Sequence, residues 1–239
     1  MRILVWFIGY PLMLTWMVIC GFTGMILSVI FRAPELTLSF VPGKMWAPLT
    51  LFLLGIRTKR KGVENVDADT PTIYVVNHAS FLDIPVSVMS IPVNLNFIAK
   101  KELKNTPIIG WYISATRQIF VDRKNKEKAM ESMREAARRI KAGKSVLSYA
   151  EGTRSKDGHV KLFRRGAFLI AKEGNIRIVP VGIEGAFECL PPKHFLVKPG
   201  TIHINIGEGF YPEDYPDASV EELAEIARQK VIALKEEVK

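Results

Sequence analysis

Two short segments carry the side chains best suited to chemistry. Asn77-His78-Ala79-Ser80-Phe81-Leu82-Asp83 follows Thr72 to Val76, an apolar β-branched run that reads as a buried strand. Histidine is a general base near neutral pH, and a carboxylate on one ring nitrogen holds the tautomer that leaves the other free. The separation of five residues sets a condition on this pairing. Positions five apart on an ideal helix stand about 140° apart, so the two meet only if His78 lies in the turn before a helix and Asp83 in its first turns. The same residues also fit a purely structural role, with Ser80-x-x-Asp83 as a capping box and His78 in a turn. The second segment, Tyr149-Ala150-Glu151-Gly152-Thr153-Arg154-Ser155, again follows an apolar run. Gly152 lets backbone approach a ligand closely, Thr153 and Arg154 supply donors, and a guanidinium matches phosphate or carboxylate. Taken alone, this segment fits a solvated turn with a surface ion pair better than a ligand site.

Further cations follow other apolar runs: Lys100 and Lys101, then Asp122-Arg123, then Lys161, Arg164 and Arg165. Their recurrence at strand ends points to an anionic ligand. Several other chemistries are excluded. Gly143-Lys144-Ser145 ends like a phosphate-binding P-loop, but the position of its first glycine holds Arg138. No Gly-x-Ser-x-Gly elbow marks a serine nucleophile. The two cysteines, Cys20 and Cys189, neither form a disulfide framework nor pair with histidines at metal-ligand spacing, which fits a reducing compartment and no metal or cofactor. Aromatic residues do not interleave with the cations as a nucleic-acid stacking platform requires.

These segments need elements to hold them. Strands are expected at 72–76, 94–99, 118–121, 145–149, 176–183 and 201–206, the last alternating with one exposed face. Helices are expected at 125–141, capped by Asn125 and ended by Gly143, at 162–173 before Gly174, and from a Ser219-x-x-Glu222 capping box to the end of the chain. Strands interleaved with helices indicate an α/β domain, a layered sheet with flanking helices, over residues 62–239.

The 239 residues hold 33 Lys+Arg against 24 Asp+Glu, a net charge of +9, and are 48% hydrophobic, which excludes a disordered chain. Residues 1–56 contribute only Arg2, Arg32, Lys44 and Glu35, so +7 falls on the remainder. From Ile3 to Phe31 there is no charge, enough helix for about 43 Å against a bilayer core of about 30 Å. A second apolar stretch runs from Leu36 to Ile56, broken by Pro42-Gly43 and Pro48, before the basic collar Arg57, Lys59, Arg60, Lys61. Residues 1–61 are therefore expected to be a hydrophobic membrane anchor, either a spanning helix, which hydropathy favours, or a helical hairpin sunk into one leaflet.

Taken in order, the segments resemble the glycerolipid acyltransferase family, and within it the bacterial lysophosphatidate acyltransferases most closely. Asn77, His78 and Asp83 match the family's Asn-His-x-x-x-x-Asp block, and Phe120-Val121-Asp122-Arg123 its Phe-(Ile/Val)-Asp-Arg block. Glu151-Gly152-Thr153-Arg154-Ser155 matches the third block, with Tyr149-Ala150 where Phe-Pro is usual, and Val179-Pro180-Val181 matches the fourth. The resemblance implies direct acyl transfer from an acyl thioester, on acyl carrier protein or coenzyme A, to the sn-2 hydroxyl of lysophosphatidic acid, giving phosphatidic acid. His78 would be the base, oriented by Asp83. Arg123, Thr153 and Arg154, with Lys100 or Lys101, would hold the acceptor phosphate beside Gly152, while Glu151 accepts from the glycerol. It also implies a two-helix anchor at the cytoplasmic membrane, the catalytic domain on the cytoplasmic face, and the phospholipid bilayer as partner, with no nucleic acid. The sequence leaves two alternatives open: another acceptor, such as a lyso-ornithine lipid, and a non-enzymatic lipid-binding module.

Overall fold

The computed structural model describes residues 2–30, 32, 41–122 and 125–238. Its centre is one sheet of β1 (Ile56–Lys61), β2 (Thr72–Val76), β3 (Leu95–Lys100), β4 (Ile119–Val121), β5 (Ser145–Tyr149), β6 (Arg177–Glu184) and β7 (Gly200–Ile206). The strands lie in the order β1-β7-β6-β2-β5-β3-β4. From β6 to β4 all pairings are parallel, while β7 runs antiparallel to β6 and carries β1 parallel beside it.

Helices cover both faces: α1 (Tyr10–Val29), α2 (Ala47–Leu53), α3 (Asp83–Ser90), α4 (Ile109–Ala115), α5 (Lys126–Lys141), α6 (Gly166–Gly174), α7 (Ala186–Cys189) and α8 (Val220–Glu236). The apolar run of β2 follows from this double cover, since every one of its side chains is buried. Tyr74 and Val76 join Leu51, Leu82 and Val86 on one face. Ile73 and Val75 meet Ile140, Phe168 and Leu223 on the other. Each large side chain so buried contributes about 1.5–3 kcal/mol, which fixes the register at the strand ends where the motifs begin. The expected caps are present: Asn125 accepts from the Lys128 amide at 3.0 Å, and Ser219 and Glu222 form a reciprocal capping box.

Three elements differ from the sequence reading. The basic collar at Arg57–Lys61 is strand β1, paired on one side with β7, so the sheet takes up residues that the pattern assigned to the anchor. Its cations stand on an edge, where charge discourages pairing with another chain. β7 lies between β1 and β6 and is more buried than its alternation predicted. The helix expected from residue 162 begins at Gly166, because the segment before it is bonded to the loop after β5: the Arg164 amide donates to the Ala150 carbonyl and Lys161 Nζ to the Arg154 carbonyl, each at 2.8 Å.

At the N-terminus, Val5–Val29 is a helix of 25 residues with mean hydropathy 2.0, largely unburied. Its first turn, Val5–Gly9, is π-helical and runs without a break into α1, whose second residue is Pro11. α1 lies along the domain. Gly9 packs on the Leu53 carbonyl, Trp16 Nε1 donates to the Met45 carbonyl at 3.2 Å, and Gly24 faces the Tyr112 ring. The apolar residues Leu36, Leu38 and Phe40 lie outside the described residues.

Candidate active site

The two motif loops are brought together by strand register. β2 and β5 are adjacent and parallel with Val76 opposite Tyr149, so His78 and Glu151 each stand two residues past a paired strand end. That is the carboxyl edge of an α/β sheet, where loops from neighbouring strands converge. The His78 amide donates to Glu151 Oε1 at 2.8 Å, and the Ser155 amide donates to the His78 carbonyl at 2.7 Å. Asn77 continues the β2–β6 ladder with its side chain after the backbone has turned away. Its amide donates to the Ile183 carbonyl at 2.9 Å and accepts from the Ile183 amide at 2.8 Å.

His78 lies in the turn and Asp83 opens α3, which is the condition that the five-residue spacing imposed. Asp83 is fully buried, and its Oδ2 lies 2.8 Å from His78 Nδ1. The same oxygen accepts the amides of Ala79 at 2.7 Å and Ser80 at 2.8 Å. A buried carboxylate held by two amides stays an acceptor, so Nδ1 carries the proton and Nε2 presents a lone pair. The Ser80 hydroxyl does not cap α3. It donates to the Leu190 carbonyl at 2.8 Å and accepts from the Leu82 amide.

The Tyr149 ring stacks on the imidazole at 4.2 Å between centroids and 20° between planes. Its hydroxyl lies 3.3 Å from Ser87 Oγ, and burial, reinforced by the Asp83 charge, pushes the phenol well above its ordinary range. Tyr149 is therefore a neutral wall that limits the ring orientations open to His78. Sequence reasoning registered this residue only as a departure from Phe; nothing in the linear pattern identified the stack.

Arg154 lies over the Phe81 ring, 3.7 Å from its centroid, and its Nη1 is buried without a hydrogen-bond partner. Burial lowers its pKa while the Asp83 carboxylate opposes the shift. A guanidinium that always carries charge, half-desolvated and short of an acceptor, favours an anion that supplies one. Glu151 is also buried, with Oε2 unpartnered; desolvation raises its pKa against the opposing pull of the His78 amide and Lys161. Gly152 sits at φ +74°, a left-handed turn, and a Cβ there would collide with the Arg164 side chain. Thr153 is exposed beside it.

The remaining expected residues stand apart. Lys100 ends β3 and pairs with Glu102 at 3.2 Å; Lys101 pairs with Asp122 at 3.3 Å. β3 leaves β5 after Phe97 and turns to β4, which carries both lysines away from the His78 loop along the same sheet edge. Arg123 lies outside the described residues.

A family model described as Acyltransferase matches residues 57–184, a stretch that includes both motif loops. The 1-acyl-sn-glycerol-3-phosphate acyltransferase of Saccharomyces cerevisiae is 28% identical over 224 residues, 92% of this chain and 74% of its own length. A chloroplastic 1-acyl-sn-glycerol-3-phosphate acyltransferase of Brassica napus is 32% identical over 70% of this chain and 49% of its own, so the chain spans about half the length of that relative. Among solved structures, the 1-acyl-sn-glycerophosphate acyltransferase PlsC of Thermotoga maritima superposes with a TM-score of 0.80 at 26% identity, covering 99% of this chain and 94% of that one. With the matched region spanning more than half of the sequence, the chain belongs to the acyltransferase family and is an enzyme of that class.

Proposed function

We propose that this enzyme transfers a fatty acyl group from an acyl thioester to the sn-2 hydroxyl of lysophosphatidate, giving phosphatidate. The observation that carries this reading is the buried Asp83 carboxylate on His78 Nδ1, which leaves Nε2 as a base at the open end of the sheet. Nε2 takes the proton of the attacking hydroxyl as its oxygen bonds to the thioester carbonyl carbon. The tetrahedral adduct then collapses with cleavage of the C–S bond, and the imidazolium returns the proton to the departing thiolate. No protein nucleophile enters this scheme.

In the same reading Arg154 and Thr153 receive the acceptor phosphate, with Arg123 as the resemblance implies. Gly152 lets the backbone approach, and Glu151 accepts from the glycerol. The unpartnered Arg154 Nη1 and Glu151 Oε2 support this division, since a phosphate and a hydroxyl would satisfy one each. Lys100 and Lys101 are held by carboxylates of their own and stand back from the acceptor phosphate. The chain's net charge of +9 suits an acidic acyl carrier protein as donor, with coenzyme A thioester the alternative donor. The relatives named as 1-acyl-sn-glycerol-3-phosphate acyltransferases favour lysophosphatidate over a phosphate-free acceptor.

We further read the N-terminal region as a membrane anchor. The N-terminal helix is held to the domain at Gly9 and at Gly24, about 22 Å apart along its axis, which favours a helix lying in one leaflet over one crossing the bilayer. The α/β domain then faces the cytoplasm, where acyl thioesters are made. The acceptor test is competition: lysophosphatidate should be acylated in preference to lyso-ornithine lipid, and Arg154→Ala should erase that preference. A wild type that favours the phosphate-free acceptor would reassign the substrate.

A further inference from the structure

The loop from Pro191 to Pro199, between α7 and β7, holds two large apolar side chains in the open: Phe195 is 84% exposed and Leu196 is 50% exposed. Their backbone is clamped. Trp6 Nε1 donates to the Val197 carbonyl at 3.1 Å, while the Tyr10 hydroxyl accepts from the Val197 amide at 2.9 Å and donates to the Phe195 carbonyl. Trp6 and Tyr10 stand one turn apart on the apolar helix, and Phe7 between them is 74% exposed. The loop's far end, Pro199, touches Gly55 just after α2. Lys193 and Lys198, both exposed, flank the apolar pair.

Adjacent Phe and Leu fixed at a loop tip and rimmed by lysines match a lipid surface better than water. The contacts with Trp6 and Tyr10 make this tip continuous with the exposed side of the helix that we read as membrane-embedded. We propose that Phe195 and Leu196 insert into the interfacial layer of an anionic bilayer beside α1, with Lys193 and Lys198 on lipid phosphates. The inference rests on the membrane reading above and extends it from the N-terminal helices to a loop of the α/β domain. It also bears on the site, because Leu190, one residue before this loop, accepts the Ser80 hydroxyl whose amide binds Asp83. A loop seated among headgroups sets the His78 turn at the depth where a lysophospholipid presents its hydroxyl.

The test uses the full chain in vesicles of phosphatidylcholine and phosphatidylglycerol carrying nitroxide-labelled lipid. A fluorophore is attached through Phe195→Cys or, separately, through Phe7→Cys; the native thiols Cys20 and Cys189 are both buried. Quenching at both positions is expected. Quenching at position 7 alone overturns the loop proposal and leaves the helix anchor standing, whereas quenching at neither overturns both. A second measurement uses the Phe195→Ser/Leu196→Ser double variant. Its kcat/KM on vesicle-borne lysophosphatidate should fall about tenfold or more, given the apolar area it no longer withdraws from water. Its rate on a short-chain, water-soluble acceptor should stay unchanged. Equal loss on both acceptors, or no loss on either, refutes the proposal.

Discussion

Replacing Asp83 with asparagine probes the base with minimal change of shape. In the native protein one oxygen, Oδ2, accepts from His78 Nδ1 and from the amides of Ala79 and Ser80, while Oδ1 is buried and unpartnered. An asparagine that keeps its carbonyl at the Oδ2 position retains all three contacts but buries an unpartnered NH2, at a cost of about 1–3 kcal/mol. For a protein of this size that lowers Tm by about 2–4 °C per kcal/mol, so the variant folds. Catalysis suffers more, because the imidazolium formed in the transition state loses a counter-charge. At 2.8 Å and an effective dielectric of about 20, that attraction is about 6 kcal/mol, of which the retained amide hydrogen bond offsets a part. The expected result is a fall in kcat of about three to four powers of ten, at about 1.4 kcal/mol per decade. Carboxylate-to-amide changes in Ser-His-Asp hydrolases have a comparable effect. The assay is transfer of a labelled acyl group from thioester to lysophosphatidate in detergent micelles, with kcat and both KM values determined separately. A folded Asp83→Asn enzyme within about tenfold of wild-type kcat would refute the dyad reasoning.

Arg154→Ala should raise KM for lysophosphatidate about tenfold to a hundredfold, the loss of a charge-assisted contact, and leave KM for the thioester unchanged; the reverse pattern would move Arg154 to the donor. Asn77→Ala strips both partners from buried Ile183 backbone groups and should cost about 2–4 kcal/mol in chemical denaturation, whereas a loss below about 1 kcal/mol would show that the ladder does not need the side chain. Gly152→Ala places a Cβ at φ +74° against Arg164 and should cost at least about 1–2 kcal/mol together with activity. Glu151 has a raised folded pKa, so its titration favours the folded state below its ordinary value of 4.5, and this contribution is lost as pH rises through the raised value. Glu151→Gln should therefore gain stability relative to wild type as pH rises from about 4 to about 8, and a constant difference would contradict the assignment.

What the sequence made legible follows from what is local. The run Thr72 to Val76 could be read as a buried strand because both sheet faces are covered, and the capping box at Ser219 because it lies within one turn. The His78–Asp83 condition was a statement about helix geometry, and α3 starts where that geometry requires. The strand character of Arg57–Lys61 was hidden because its stabilisation comes from β7, more than a hundred residues later, while its own charges resemble a membrane collar. The start of α6 was misplaced for a similar reason, since its apolar period extends into residues that the loop after β5 holds out of the helix. At the site, the motif residues could be named but not their surroundings. The Tyr149 stack, the Phe81 ring beneath Arg154 and the link from Ser80 to Leu190 all join distant segments through side chains without a spacing signature. Lys100 and Lys101 show the opposite case: their positions after a strand suggested ligands, but Lys100 pairs with Glu102 in the turn that follows and Lys101 with Asp122 at the end of the neighbouring β4.

On the function proposed above, His78 is the base for direct acyl transfer to lysophosphatidate. The most direct test is to measure labelled acyl transfer in detergent micelles with the wild type and His78→Ala side by side, checking that both remain bound to vesicles. Phosphatidate formation by the wild type, none above background by the variant, and equal membrane association are expected. Substantial transfer by His78→Ala, or a wild type inert toward lysophosphatidate with either thioester donor, would contradict this reading.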